Sequence, residues 1–237
     1  MFDVIVIGVG SMGSSACYYL AKQGYKVLGL DQFDIPHEQG SHTGQSRIIR
    51  KAYFEHPSYV PLLNRAYENW KELETETQTR LYYQTGLAYF GLPGSEIIKG
   101  VKLSASLYNI PIEFLELKTI RDRYPMFKLP PSYEVLFEPG AGFITPEKAV
   151  LLYKEQAIKK GAEIHSGEKV IEWKKAGKSF EVITSKDNYL CQKLVITAGA
   201  WAGKMIPGFA DRIKVTRQFM AWIKPERESD FAPPNFP

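Results

Sequence analysis

The apolar positions at the start of the chain predict a strand, a helix and a second strand. Phe2 to Ile7 is an almost continuous β-branched run, as in a strand buried on both faces. From Ser11 to Gln23 apolar residues recur at helical spacing, and Gly24 is well placed to end that helix. The apolar positions of this helix are Met12, Ala16, Tyr19 and Leu20. Lys26 to Leu30 is the second predicted strand, so the pattern indicates a βαβ unit.

The middle of the chain has mixed character and indicates an inserted second domain. A strongly periodic helix is predicted with one apolar side, formed by Tyr59, Leu63, Ala66, Tyr67, Trp70 and Leu73. From about Leu81 to Gly142, Pro and Gly punctuate short apolar runs. These runs predict a helix near Glu96 to Leu107 and the strands Leu87 to Phe90, Ile112 to Leu117 and Glu134 to Phe137.

The first domain is predicted to resume at a helix start. Thr145 suits an N-cap, Pro146 the first helical position and Glu147 the positive end of the helix dipole, and the helix should end by Gly161. Five strands are predicted after it. These are Ala162 to His165, a meander of Lys169 to Trp173, Phe180 to Ile183 and Tyr189 to Cys191, and the buried strand Lys193 to Thr197.

Composition narrows the class of protein. The 237 residues allow one or two domains, and the 30 basic and 26 acidic residues give a net charge of +4. The basic residues are scattered, which favours solvated helix ends over a nucleic-acid surface. Cys17 and Cys191 form no disulfide framework and no metal-ligand spacing, so a reducing, cytoplasmic compartment is expected. No signal peptide and no apolar run of about 18 residues is found, so neither secretion nor a membrane span is predicted.

The first candidate chemistry is the GxGxxG motif Gly8–Gly13, which follows the first strand and opens the first helix. Glycine turns also occur for steric reasons alone. Here, however, a second strand ends on Asp31, about 20 residues beyond the motif, where an acid can reach a ribose hydroxyl. Strand, helix, strand and acid together predict dinucleotide binding, with the pyrophosphate at the helix N-terminus. The acid also favours a ribose without a 2′-phosphate.

Two further features bear on which dinucleotide is bound. The chain does not continue the strand–helix alternation usual for an NAD domain. Small residues follow the last predicted strand, in the segment Ala198–Trp201, where they would let the backbone approach a cofactor. The alternative for this segment is a tight turn.

Three segments give the chain a resemblance to a known family: GSHTGQSRIIRKAY from Gly40, FEPGAGFI from Phe137 and TRQFMAWIKPE from Thr216. They resemble the flavin amine oxidases of the D-amino-acid-oxidase superfamily, and monomeric sarcosine oxidase and N-methyltryptophan oxidase most. The resemblance implies an α/β fold with a discontinuous, Rossmann-like FAD-binding domain (residues 1–83 and 143–215) containing a parallel sheet and a β-meander. It implies an inserted, incomplete α+β substrate domain (84–142 and 216–237), with a strand near the TRQFMAWIKPE segment.

The resemblance also implies roles for individual residues. Gly40, Ser41 and His42 would lie against FAD, Arg47 at the flavin ring, and Arg50 would hold the substrate carboxylate. The residues expected in catalysis are Arg47, Arg50 and Tyr53. The residues expected to contact FAD are Gly8, Gly10, Ser11, Met12, Gly13, Asp31, Gln32, Gly40, Ser41, His42, Arg47, Ile49, Val170, Ala198, Gly199 and Trp201. No metal site is expected.

The chemistry of the guanidinium group supports the roles expected for Arg47 and Arg50, but a purely structural role is the alternative. A guanidinium binds a carboxylate bidentately and keeps its charge, and a cation near the flavin favours the reduced ring. If Arg47 to Arg50 is extended, the two side chains project to opposite faces; if it is helical, they share one. The alternative is that both are surface arginines paired with acids, and that His42 packs only within its loop.

The implied reaction is oxidation of a secondary or N-methyl amino acid, such as sarcosine, by O₂, giving an imine or aldehyde and H₂O₂. Thr43 and Gln45 stand where close relatives of sarcosine oxidase tend to carry a histidine and an acid, so the substrate and the mode of flavin attachment stay open. The family's flavin-linking cysteine and oxygen-activating lysine would lie beyond Pro237, which indicates an N-terminal portion. The alternatives are a flavin-dependent dehydrogenase acting on another small acid or alcohol and an inactive truncated fragment. No nucleic acid or membrane partner is expected, and a monomer is favoured.

Overall fold

The computed structural model describes residues 1–233 and 235–237, which divide into two compact units. The first unit contains Met1–Gln45 and Thr145–Phe219, and the second contains Ser46–Ile144 and Met220–Pro237. The strands are β1 (Phe2–Ile7), β2 (Val27–Leu30), β3 (Arg47–Ile49), β4 (Tyr82–Gln84), β5 (Leu87–Gly91), β6 (Glu113–Leu115), β7 (Glu134–Glu138), β8 (Gly142–Ile144), β9 (Glu163–His165), β10 (Val170–Ala176), β11 (Ser179–Thr184) and β12 (Asn188–Ile196). The helices are α1 (Ser11–Lys22), α2 (Val60–Thr77), α3 (Glu96–Tyr108), α4 (Leu117–Arg123), α5 (Pro146–Lys159) and α6 (Ala202–Met205).

The first unit is built on a six-stranded sheet in the order β10-β11-β12-β1-β2-β9. Strands β12, β1, β2 and β9 run parallel, whereas β10, β11 and β12 form an antiparallel meander. The predicted fold class, a Rossmann-like parallel sheet with a β-meander, is therefore confirmed. Because the carboxyl ends of β12, β1 and β2 meet at one edge, residues that follow these strands are brought together there.

Strand β12 corrects the prediction of two separate strands. Its residue Cys191 pairs with Phe180 of β11 on one side and with Phe2 of β1 on the other. One continuous strand therefore serves both the meander and the parallel sheet. Beyond Cys191 the pairing with β11 ends, so Lys193 is exposed and Leu194 to Ile196 are half-buried, rather than buried as predicted.

The packing face of α1 also differs from the predicted one. The buried residues are Gly13, Ser14, Cys17, Tyr18 and Ala21, whereas Met12 is 73% exposed. Four of these five residues are small because the helix lies close to the sheet: a Cβ at Gly29 of β2 would lie 3.0 Å from the sulfur of Cys17. The Tyr18 ring packs against Tyr153 of α5, with centroids 5.4 Å apart.

The second unit contains two small antiparallel sheets, β3-β8-β4 and β5-β7-β6, together with α2, α3 and α4. Residues 46–83 lie in this unit, although the predicted boundary assigned them to the first. The reason is the pairing of β8, whose Ile144 lies opposite Arg47 of β3 and Tyr82 of β4. The predicted strands at β5 and β7 are present, and the predicted strand Ile112 to Leu117 is shortened to β6 because α4 begins at Leu117.

Two further expectations for the second unit need correction. On the predicted apolar side of α2, Leu73 is buried and Leu63, Ala66, Tyr67 and Trp70 are half-buried, but Tyr59 precedes the helix and is 49% exposed. The strand expected near TRQFMAWIKPE is not formed, since 213–225 has no regular structure and Phe219 is 91% exposed. No strand of the described residues pairs with this segment, and a strand needs a partner for its backbone groups.

The two cysteines allow a simple test of the first unit's core. Both have 0% exposed side chains, and burial raises the pKa of Cys17 to about 12 and raises that of Cys191 as well. Because the thiolate is the reactive form, we expect neither thiol to react with a disulfide reagent at pH 8 in the folded protein. Both should react once the protein is unfolded in urea. Rapid reaction of one thiol in the native state would contradict the packing described here.

Candidate functional site

The glycine-rich turn Gly8–Gly13 joins β1 to α1 and has almost no room for side chains. Gly8 has a φ of 92°, and a Cβ there would lie 2.6 Å from the carbonyl oxygen of Thr197. A Cβ at Gly13 would overlap the carbonyl oxygen of Gly8. The predicted motif is thus a tight turn that presses α1 onto the strand end, and it leaves the helix N-terminus facing the sheet edge.

The acid at the end of β2 lies beside this turn. The Asp31 carboxylate accepts the N–H of Val9 at 2.8 Å with Oδ2 and that of Phe33 at 3.0 Å with Oδ1. The His37 Nε2 atom is 3.6 Å from Oδ1, within ion-pair range when that histidine is protonated. Asp31 therefore fixes the turn as well as its own strand end. A carboxylate has about four lone-pair sites, so these contacts leave acceptor capacity for a ribose hydroxyl.

Thr197, at the end of β12, is a contributor that the sequence reasoning missed. Its N–H donates to Ile7 at 2.8 Å and its hydroxyl donates to the carbonyl of Gly8 at 2.7 Å. These bonds join β12 to the glycine-rich turn. The small segment Ala198–Trp201 follows directly, with the Trp201 N–H on the Ala198 carbonyl at 2.9 Å. The feature of the sequence that could have indicated this role is a polar residue, Thr197, at the end of a predicted apolar strand.

The histidine loop, residues 37–44, covers the same turn. His42 is 2% exposed, and a Cβ at Gly10 would lie 3.4 Å from its Nδ1 atom. Gly40 packs against the same ring, since a Cβ there would lie 2.5 Å from Cε1. The loop is tied to α5 by the N–H of Gly44, which donates to Glu147 Oε1 at 2.7 Å. Glu147, predicted only as a dipole partner, therefore anchors the loop.

These residues fit a dinucleotide. The glycine cradle, formed by Gly8, Gly10 and Gly13, contributes no side chains of its own, the Met12 side chain points into solvent, and α1 carries no acid in its first turn. A helix N-terminus of this kind attracts phosphate through its free N–H groups and its dipole. The other expected contacts vary in exposure: Ser11, Ser41 and Gly199 are exposed, and Gln32, Val170 and Trp201 are half-buried.

In the second unit the expected arginines follow an extended chain. Arg47 pairs with Ile144 in β3, so the chain is extended from Arg47 to Ile49, and Arg50 follows the end of this strand. Ile49 is 9% exposed, Ile48 is 61% exposed, and the Arg47 Nη1 atom donates to the Ser46 carbonyl at 2.9 Å. Alternation along β3 therefore sends Arg47 and Ile49 to the face opposite Ile48.

Arg50 holds a carboxylate in this structure. Its Nη2 atom donates to both oxygens of Glu55, at 3.1 and 3.3 Å. The guanidinium lies over the rings of Tyr53 and Phe54, 4.7 and 5.2 Å from their centroids. The Nε atom is buried and has no hydrogen-bond partner among the described residues. Arg50 is therefore flanked by aromatic rings and retains a free donor beside a bound acid.

The segment Arg50–Phe54 is held by groups that the sequence reasoning did not find. The Ser104 hydroxyl of α3 donates to the Tyr53 carbonyl at 2.6 Å. A Cβ at Gly100, one turn earlier in α3, would overlap the Phe54 carbonyl oxygen. The feature of the sequence that could have indicated this contact is the pair of small residues Gly100 and Ser104, one turn apart inside a helix.

A buried carboxylate, that of Glu138, also contacts the segment Arg50–Phe54. Glu138 of β7 is 1% exposed and accepts hydrogen bonds from the N–H of Lys51, the N–H of Ala52 and the hydroxyl of Tyr89. Burial and the Glu138 charge together raise the pKa of Tyr82 to about 12. Glu138 falls in the FEPGAGFI segment, which carried the family resemblance but no assigned role.

The parallel sheet, the glycine cradle, the acid after β2 and the small residues after β12 define a dinucleotide-binding α/β protein. No cluster of three or more His, Cys, Asp or Glu that could hold a metal occurs in the described ranges. No helix within them is long and apolar enough to cross a membrane. The family described as FAD dependent oxidoreductase matches residues 3–237, and the chain belongs to this family.

Two curated oxidases are similar in sequence to this chain. Monomeric sarcosine oxidase of Streptomyces avermitilis is 38% identical over 237 residues, which are 100% of this chain and 62% of that protein. N-methyl-L-tryptophan oxidase of Yersinia pestis is 35% identical over 223 residues, which are 93% of this chain and 59% of that enzyme. The chain thus spans less than two thirds of these relatives, and the resemblance inferred from the sequence is confirmed.

A solved structure of an amino acid oxidase has a similar fold. The open form of NikD, described as an unusual amino acid oxidase essential for nikkomycin biosynthesis, superposes with a TM-score of 0.78 at 25% identity. The match covers 86% of this chain and 53% of the NikD chain.

Proposed function

We propose that the protein oxidises a secondary or N-methyl amino acid of the sarcosine type, with FAD as cofactor and O₂ as electron acceptor. The products are an imine, which water hydrolyses to an aldehyde and an amine, and H₂O₂. The observation that carries the proposal is Arg50, whose guanidinium already holds a carboxylate between aromatic neighbours. The sarcosine and N-methyl-L-tryptophan oxidases to which the chain is similar act, as their names state, on amines that carry such a group.

In this proposal the residues of the first unit bind the cofactor. The N-terminus of α1 and the glycines of the turn Gly8–Gly13 hold the pyrophosphate, and Asp31 accepts a ribose hydroxyl. His42 and Gly40 shape the neighbouring surface. These residues would hold FAD, which would supply the acceptor for the hydride equivalent from the carbon next to the substrate nitrogen, with O₂ as the final electron acceptor.

The residues of the second unit orient the substrate. Arg50 exchanges the Glu55 carboxylate for that of the amino acid, which fixes the amine without a proton transfer because the guanidinium remains charged. Tyr53 supplies an aromatic wall. Arg47 contributes a second cation, which favours an electron-rich ring nearby. We further propose a cytoplasmic monomer without nucleic acid or membrane partners.

Spectroscopy and peroxide detection test this proposal. The purified protein should show flavin absorbance near about 450 nm and release H₂O₂ with sarcosine or other N-methyl amino acids. Turnover with an artificial electron acceptor but without H₂O₂ would indicate a dehydrogenase instead. Protein that folds, takes up no added FAD and shows no flavin absorbance would indicate an inactive fragment.

A further inference from the structure

Glu138 is a charged group buried at a place where a carboxylate is costly without compensation. In the described part of the chain, three hydrogen bonds stabilise it: the Lys51 N–H at 2.7 Å, the Ala52 N–H at 3.2 Å and the Tyr89 hydroxyl at 2.7 Å. Two of these donors are consecutive peptide groups, and both lie directly after Arg50. The carboxylate of β7 therefore binds the backbone of the arginine segment.

The first of these donors belongs to the peptide that carries the Arg50 carbonyl. Fixing that peptide fixes the backbone from which the Arg50 side chain leaves. The next turn is held as well, since the Tyr53 N–H donates to the Lys51 carbonyl at 2.8 Å. Together these bonds give Arg50 one backbone geometry, and its guanidinium lies over the Tyr53 ring.

The charges of Glu138 and Arg50 also act on common neighbours. Burial raises the pKa values of Tyr67 and Tyr89, Glu138 raises both further, and Arg50 lowers both. The anion and the cation thus influence the same two hydroxyl groups in a poorly solvated surrounding. Opposite charges interact more strongly there than in water.

We propose that Glu138 is a positioning residue for substrate recognition: it holds the Arg50–Lys51 peptide so that the guanidinium meets the substrate carboxylate in one orientation. This inference rests on the proposed function, because it requires Arg50 to bind that carboxylate. In this role Glu138 itself touches neither substrate nor cofactor. Its removal therefore weakens the recognition of the carboxylate and leaves the oxidation step in place.

The test compares Glu138→Gln with wild-type protein on sarcosine and on dimethylamine, which lacks the carboxylate. We expect the KM for sarcosine to rise about tenfold to 100-fold, since small misplacements of binding groups have effects of this size. The kcat for sarcosine, the flavin absorbance and the KM for dimethylamine should each stay within about twofold. The matched control is Glu134→Gln on the same strand, whose carboxylate is 36% exposed and pairs with Lys102, and it should change nothing.

A double-mutant cycle separates positioning from general damage. Glu138→Gln should have no further effect on the sarcosine KM when Arg50 is already alanine, because the two residues then share one interaction. An equal rise for both amines, or an undiminished effect in the Arg50→Ala background, would overturn the inference. If Glu138→Gln does not fold, Tyr89→Phe replaces it: losing one donor to Glu138 should raise the sarcosine KM about threefold, and no rise would overturn the inference.

Binding without turnover distinguishes this inference from the proposed function. Acetate titrated into wild-type protein should shift the NMR signal of the Arg50 Nε–H group, and its Kd should rise about tenfold in Glu138→Gln. Acetate binding with this change, but without oxidation of any amine, would contradict the proposed function and support the role of Glu138. Amine oxidation with unchanged KM and Kd in Glu138→Gln would support the proposed function and contradict the role of Glu138.

Discussion

Replacement of Arg50 by alanine is expected to raise the KM for sarcosine about 30-fold or more, with a much smaller effect on dimethylamine. Losing hydrogen bonds between a charged donor and the substrate carboxylate costs about 2 kcal/mol, and this cost corresponds to that factor. The aromatic flanks of Arg50 and the contact of its Nη2 atom with both Glu55 oxygens make it the part of this segment suited to a carboxylate. Steady-state kinetics with both amines measure the difference.

Two further variants sharpen the Arg50 prediction. Arg50→Lys keeps the charge but loses the planar fork, so its KM for sarcosine should lie between those of wild-type protein and Arg50→Ala. Arg65→Ala removes an arginine of α2 whose side chain is 62% exposed and paired with Glu68, and it should leave both KM values unchanged. If Arg50→Ala raised the KM values of both amines equally, the carboxylate role would be wrong.

Gly13→Ala is expected to destabilise the protein by about 3 kcal/mol or more, or to prevent folding. A Cβ at this position overlaps the carbonyl oxygen of Gly8, which is rigid backbone, so α1 would have to move away from β1. Urea unfolding followed by circular dichroism measures the loss. A stability equal to that of the wild-type protein would show that the turn is looser than described.

Gly10→Ala, in the same turn, is the matched comparison. Its Cβ would meet only the His42 ring, at 3.4 Å, so we expect a change in stability within about 1 kcal/mol. The methyl group would press on the His42 ring, which lines the proposed cofactor surface, so FAD affinity should fall about tenfold or more. Fluorescence titration of FAD separates the two effects. Unchanged affinity in a folded Gly10→Ala protein would contradict the proposed position of the cofactor.

The sequence was most informative where local patterns decide the fold. The first βαβ unit, its glycine-rich turn and Asp31 were predictable because burial on both faces, turn chemistry and spacing all agree. The packing face of α1 was not predictable from hydrophobicity. Close approach to the sheet selects small residues, so Gly13 and Cys17 are buried while the larger Met12 is exposed. The prediction also missed that β12 is one continuous strand, because its continuity depends on pairing with β1, which is distant in sequence.

The candidate site shows the same limit. Arg50 could be proposed from a motif, but the groups that hold its segment come from other elements: Glu138 from β7 and Ser104 from α3. These residues lie 87 and 51 positions from their backbone partners. No local pattern reveals such contacts. The cofactor contacts expected from the family resemblance remain predictions, which FAD titration of Gly10→Ala and related variants can test.

The hydrogen bond between Gly44 and Glu147 spans 103 positions of the sequence. It joins the two segments of the first unit, Met1–Gln45 and Thr145–Phe219, at the points where the insertion begins and ends. Because the entropy of closing such a loop rises only with the logarithm of its length, residues can be gained, lost or exchanged between these two points at little cost to the host.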